Sequence, residues 1–198
     1  MWKLAISFFA ILFFLFVGAQ PIFAKVNKPA SVSTLKNALA PSPSPSPTPS
    51  SVPKEVNSFE LFWPLASGKT MGESLYSLKT VKEKLRGILI FGKAQKSDYQ
   101  VFLSTKRTLE AEKLINEGKI DLASKTLQSS LKLLENAKDN WSKAKEANSG
   151  GGPEKGNIEN QLNNLNVFLN YLSTKNTGDV KSQIDQNGQK IQEFLNSL

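Results

Sequence analysis

Between Thr70 and Asn148, apolar residues recur every three or four positions in three successive runs separated by glycines, the period of amphipathic helices. The first run places Leu75, Leu78, Leu85, Ile88 and Leu89 on one face, with Lys82 among them. Thr70 followed three residues later by Glu73 fits a capping box, and Gly92 fits a C-cap. Ser97 and Asp98 open a second run carrying Tyr99, Phe102, Leu103, Leu109, Leu114 and Ile115, and Gly118 stops it. The third covers Ile120 to Asn148 with the most regular stripe: Ile120, Ala123, Leu127, Leu131, Leu134, Ala137, Trp141 and Ala144. Short connections at Gly92 and Gly118 predict antiparallel neighbours, so residues 57–148 are expected to form an up-and-down three-helix unit.

A glycine-rich stretch at 149–156 then breaks the pattern, and residues 157–198 resume it as an αα-hairpin. Its first stripe is Ile158, Leu162, Leu165, Phe168, Leu169 and Leu172; its second is Val180, Ile184, Ile191, Phe194, Leu195 and Leu198, with Asp179 as the expected cap. Alone the hairpin has too little apolar surface to be secure. It therefore docks on the three-helix unit, pairs with another copy or binds a partner. Trp141 either seats that docking or closes the end of the bundle. The fold class expected is all-α.

The first 56 residues follow other rules. Lys3 precedes an almost wholly apolar run from Leu4 to Val17, then Gly18, Pro21 and Ala24, the layout of a secretory signal cut after Ala24. An uncleaved anchor is the competing reading, but Gln20 and Pro21 interrupt the run before the 20 or so apolar residues that a membrane span needs. Residues 25–56 form a Ser/Pro-rich spacer. Its alternating prolines from Pro41 to Pro49 exclude helix and sheet and favour an extended polyproline strut. Both features predict an extracytoplasmic protein, secreted or anchored at the cell surface. Membrane contact is expected only through the N-terminal segment, where it is retained.

Composition narrows the chemistry. The chain contains neither cysteine nor histidine. That removes disulfides, thiolate nucleophiles, the commonest metal ligand and any Ser-His-Asp triad. Glu110 and Glu112 are two residues apart and face different sides of a helix, so they do not form a catalytic pair. Ser67-Gly68-Lys69-Thr70 mimics the end of a phosphate-binding loop, but Trp63 stands where its upstream glycine belongs. No enzymatic activity, cofactor or metal is expected.

The formal net charge is +8, and its densest patch is Lys79, Lys82, Lys84, Arg86, Lys93 and Lys96, opposed only by Glu83. Lys79, Lys82 and Arg86 share one helical face and are candidates for an anionic ligand; a solvated lysine face is the plainer reading. No aromatic residue is interleaved with them as a stacking platform, so nucleic acid is not expected. Glu83 and Arg107 are read as an ion pair that fixes the register between two helices.

Leu75-Tyr76-Ser77-Leu78-Lys79, Glu83, Lys106-Arg107, Glu110-Ala111, Leu114, Gly118-Lys119 and Leu122-Ala123 resemble a bacterial domain-of-unknown-function family of exported short helical domains, over about residues 64–147. Thr108 departs from the apolar residue expected beside the arginine. The resemblance implies an exported helical fold and brings no activity with it. The function expected is a non-enzymatic interaction module at the cell envelope, contacting an envelope polymer or a protein partner. The alternative is a regulatory or sensor-like domain for a defined anionic or peptide ligand.

Overall fold

The computed structural model describes residues 56–148, 150 and 152–198; the signal segment and all but the last residue of the spacer lie outside the described residues. Within them are six helices and no strand, the all-α class expected: α1 (Ser58–Leu61), α2 (Tyr76–Ile88), α3 (Lys93–Asn116), α4 (Ile120–Glu146), α5 (Pro153–Lys175) and α6 (Gly178–Leu195).

The helices group differently from the sequence expectation. The core is a four-helix bundle made by α3, α4, α5 and α6, and α2 lies outside it. Leu127, Leu134, Ala137, Trp141 and Ala144 from α4 meet Ile158, Leu162, Leu165, Phe168, Leu169 and Leu172 from α5 and Val180, Ile184, Ile191 and Phe194 from α6, all in one apolar cluster. The C-terminal hairpin thus completes the core, and Trp141 is wholly buried within it.

Polar contacts fix how the two hairpins stack. Gln95 Nε2 donates to Glu154 Oε1 (2.6 Å) and Gln161 Nε2 to Asp98 Oδ1 (2.7 Å), which aligns the N-terminal ends of α3 and α5. Lys138 Nζ meets Glu193 Oε2 (3.3 Å), and Lys145 Nζ donates to the Ser197 carbonyl (2.8 Å), which aligns α4 with the C-terminal part of α6. Each hairpin is antiparallel internally, and the two pack with like ends together.

Helix α3 is buried around more of its circumference than an apolar stripe foretells. Toward α4 it turns small and hydroxylated side chains. Ser97 Oγ donates to the Ala137 carbonyl (2.8 Å), while Ser130 Oγ lies 2.8 Å from Ser104 Oγ and 3.2 Å from Thr108 Oγ1. Thr108 also donates to the Ser104 carbonyl (3.2 Å), so the hydroxyl at this position is satisfied where an apolar residue was expected.

Boundaries shift for local reasons. The turn between α3 and α4 closes at Gly118 as expected: its φ of +72° lets Gly118 N donate to the Ile115 carbonyl (2.9 Å) and Lys119 N to that of Leu114 (2.8 Å). Gly92, expected to end α2, is extended and instead precedes α3, which starts at Lys93 before Ser97 and Asp98. Helix α5 begins at Pro153, whose fixed φ suits a first turn, so the linker is shorter than 149–156. Asp179 sits in the first turn of α6, with Thr177 at the cap.

Helix α2 starts at Tyr76 instead of just after Thr70, because Gly72 (φ +92°) and Leu75 (φ +66°) both take backbone conformations that a helix excludes. Gly72 is also constrained by packing: a Cβ there would lie 3.0 Å from Leu122 Cδ1 on α4. Gly72→Ala is therefore expected to destabilise the domain by about 1–2 kcal/mol, from left-handed strain plus the close approach, measurable in urea unfolding.

Candidate functional site

The approach to α2 is a series of turns tied together by Glu73. Its Oε1 accepts from Thr70 Oγ1 (2.6 Å) and Thr70 N (3.2 Å), and Lys113 Nζ on α3 lies 2.8 Å away. The Lys113 contact, followed by those from Thr70, holds the Glu73 carboxyl well below the usual carboxylate range. The expected capping pair is thus made, but it fastens the turn to α3 and does not start a helix.

From Tyr76 onward, α2 docks on α3 through charge. Glu83 is buried and pairs with Arg107 Nη2 and with Lys106 Nζ (3.2 Å). Arg107 Nη1 meets Glu110 Oε1 at 2.6 Å, and Lys79 Nζ donates to the same oxygen. Lys79 also donates to the carbonyls of Ser67 (2.9 Å) and Lys69 (2.7 Å), so the loop that mimics a phosphate cradle turns carbonyl oxygens toward a lysine. The Tyr76 ring covers this cluster, 5.7 Å from the Arg107 guanidinium and 5.8 Å from Lys79 Nζ. One turn on, Tyr99 Oη donates to the Glu83 carbonyl (3.1 Å), and Arg86 lies over the Tyr99 ring at 5.2 Å.

Burial governs these charges. It pushes Glu110 up, against the pull of Lys79 and Arg107, and pushes Lys79 down, against the pull of Glu110. Burial also opposes the charge on Arg107, but Glu110 and Glu83 together outweigh it and hold the guanidinium above its ordinary value. Glu110 Oε2 is buried without a hydrogen-bond partner, so this carboxylate depends on its two cations through one oxygen.

The three residues proposed for an anionic face therefore separate. Lys79 is turned inward and occupied by Glu110, because its position on α2 lies against α3. Lys82 and Arg86 remain exposed. Glu83 and Arg107 are brought together, in a network of five charges that sequence reasoning saw only in part. Of the three missed partners, Lys79, Lys106 and Glu110, the first and last have a sequence signal: Lys79 stands four residues before Glu83, and Arg107 three before Glu110, so complementary pairs face each other across two adjacent helices.

The consequence is an inverted helix. With its polar side against the bundle, α2 turns its apolar side to solvent. Leu75, Leu78, Val81, Leu85, Ile88 and Leu89 are each 51–67 % exposed, and Phe91 just beyond is 90 % exposed. This stripe, expected to line the core of a three-helix unit, is the most apolar exposed surface of the described residues.

A cavity of about 870 Å³ lies at the C-terminal end of α3, lined by Glu60 and Glu112 among others. Burial raises the Glu112 carboxyl, which bonds Ser58, while Glu60 is exposed. Among the described residues no group of three or more acidic, cysteine or histidine side chains is placed to hold a metal ion, and no helix is long and apolar enough to cross a membrane.

Compared with known families, residues 68–198 match a domain of unknown function, DUF5667. The match runs through α6, so the matched domain includes the C-terminal hairpin beyond the 64–147 range of the sequence resemblance. Neither characterised proteins nor solved structures give a match.

Proposed function

Since the chain belongs to the DUF5667 family, whose function is unknown, we propose from the molecule itself that it binds without turnover: a non-enzymatic, exported interaction module displayed at the cell envelope on its Pro-rich stretch. The observation that carries this reading is the outward apolar face of α2, fastened to the four-helix bundle by buried ion pairs. A soluble domain does not ordinarily leave so many aliphatic side chains contiguous on one exposed helix unless something covers them. The four-helix bundle supplies a rigid support, and the Ser/Pro-rich stretch from residue 25 supplies reach. A sensor for a small anion has less support. The cations drawn together at one point, Lys79, Lys106 and Arg107, are already taken by Glu83 and Glu110.

The test is co-sedimentation of the purified chain with isolated bacterial envelopes at low and high salt. Binding at low salt is expected. A chain that stays in the supernatant with every envelope fraction overturns the proposal.

A further inference from the structure

The proposed function leaves the occupant of the α2 face open; resting on that reading, we infer that it is the surface of an anionic lipid bilayer, with α2 lying in the interfacial plane. Sequence reasoning confined membrane contact to the N-terminal segment. The exposed side of α2 offers a second, independent contact.

The argument starts from the distribution of side chains around the helix. At 100° per residue, Leu78, Leu85 and Leu89 form the centre of the exposed stripe, flanked by Val81 and Ile88. Lys82 and Arg86 follow along one edge, and Lys84 stands on the other. All three are exposed, and Lys93 continues the basic border beyond Phe91. A 13-residue helix is about 20 Å long, which suits lying on a bilayer and is too short to span one. An apolar stripe bordered by lysine and arginine is the arrangement that buries side chains at the acyl boundary while its cations meet headgroup phosphates.

Charge complementarity separates this occupant from a second copy of the chain. From Ser74 to Ser97 the only acidic residue is Glu83, and it is buried in the contact with α3. Two copies meeting face to face would set Lys82, Lys84 and Arg86 against the same residues, with no carboxylate on either face to answer them. An anionic surface answers all of them at once. The ion pairs on the opposite side hold the helix in place, so the face is presented without unfolding the bundle.

The absence of cysteine makes the test direct. In the full chain, Leu85→Cys carries a polarity-sensitive dye on the α2 face, and Asn136→Cys carries it at an exposed position of α4 as a control. Each is mixed with vesicles of phosphatidylcholine alone or of phosphatidylcholine with phosphatidylglycerol, with and without an acyl-chain quencher. Expected is a blue shift and quenching at position 85 only with phosphatidylglycerol, reversed by salt, and no change at 136. Lys82→Gln with Lys84→Gln should weaken binding about 25-fold at low salt, roughly five-fold for each cation removed. The N-terminal apolar segment is common to every sample and does not by itself place the dye at 85 in lipid.

A silent dye at 85 in a chain that sediments with envelopes overturns the lipid assignment and leaves the interaction module standing, with a protein or polymer on the face. A shift at 85 that follows chain concentration without vesicles assigns the face to a second copy and also overturns it. Equal response to both vesicle types overturns the assignment to an anionic surface. Failure to bind any envelope fraction overturns both readings.

Discussion

Phe168→Ala is expected to cost about 3–5 kcal/mol and to unfold α3, α4, α5 and α6 in one transition. Phe168 is wholly buried on α5, and its ring packs edge-to-face against Phe62 at 5.4 Å. Phe62 comes from the segment before α2, and the cluster around Phe168 includes residues of all four bundle helices. Truncation therefore leaves a cavity at the centre of a shared core, and neither hairpin retains a complete apolar interior. In urea, the fluorescence of buried Trp141 on α4 and the far-ultraviolet circular dichroism of the whole chain should lose signal at the same lowered midpoint. An early loss confined to the C-terminal hairpin, with α3 and α4 surviving, would mean two cores instead of one.

The second large effect is electrostatic. Arg107→Ala removes the cation shared by Glu83 and Glu110, and Glu110 is entirely buried. Breaking a buried pair from one side costs about 3–5 kcal/mol, because the partner charge stays behind unpaired. Lys79 alone then faces Glu110, and Lys106 alone faces Glu83. The pH dependence identifies the cause. Burial already raises the Glu110 pKa, and a group raised on folding stabilises the folded state below its unfolded pKa and loses that contribution as pH rises through the folded one. The deficit of the variant should be largest at neutral pH and shrink as pH falls and Glu110 takes a proton and no longer needs a cation. Thermal melts of both chains across that range measure it. A deficit independent of pH would attribute the loss to the guanidinium's contact with the Tyr76 ring.

These two residues also mark where the sequence was legible. The stripe on α5 is buried residue for residue, and that on α4 is buried except at its start, where Ile120 is exposed, and at part-buried Leu131. In both helices the apolar face is the core face, so periodicity alone locates it. Helix α3 was half legible. Its contact with α4 runs through Ser97, Ser104, Thr108 and Ser130, residues that hydropathy counts as surface but whose hydroxyls find buried partners. On α6, Asn187 is buried in the same way, donating to the Leu127 carbonyl at 3.2 Å.

Helix α2 was misplaced for a deeper reason. Periodicity shows that one side of a helix is apolar and the other polar; it does not show which side the protein keeps. Here α3 presents Arg107 and Glu110 where leucines would have invited the apolar stripe, and Glu83 and Lys79 turn toward them. The Glu83–Arg107 pair was legible as a register device between helices. That the same pair turns the leucines outward follows only once both partners are buried.

Equilibrium unfolding of the chain carrying Leu78→Ser, Leu85→Ser and Ile88→Ser together tests the central claim, that the apolar face of α2 belongs to a partner and not to the core. All three side chains are more than half exposed. The variant is expected to unfold at nearly the wild-type midpoint, with each substitution within about 0.5 kcal/mol of neutral. A loss of several kcal/mol, the cost of three leucine-sized core deletions, would place that face inside the fold and contradict the account.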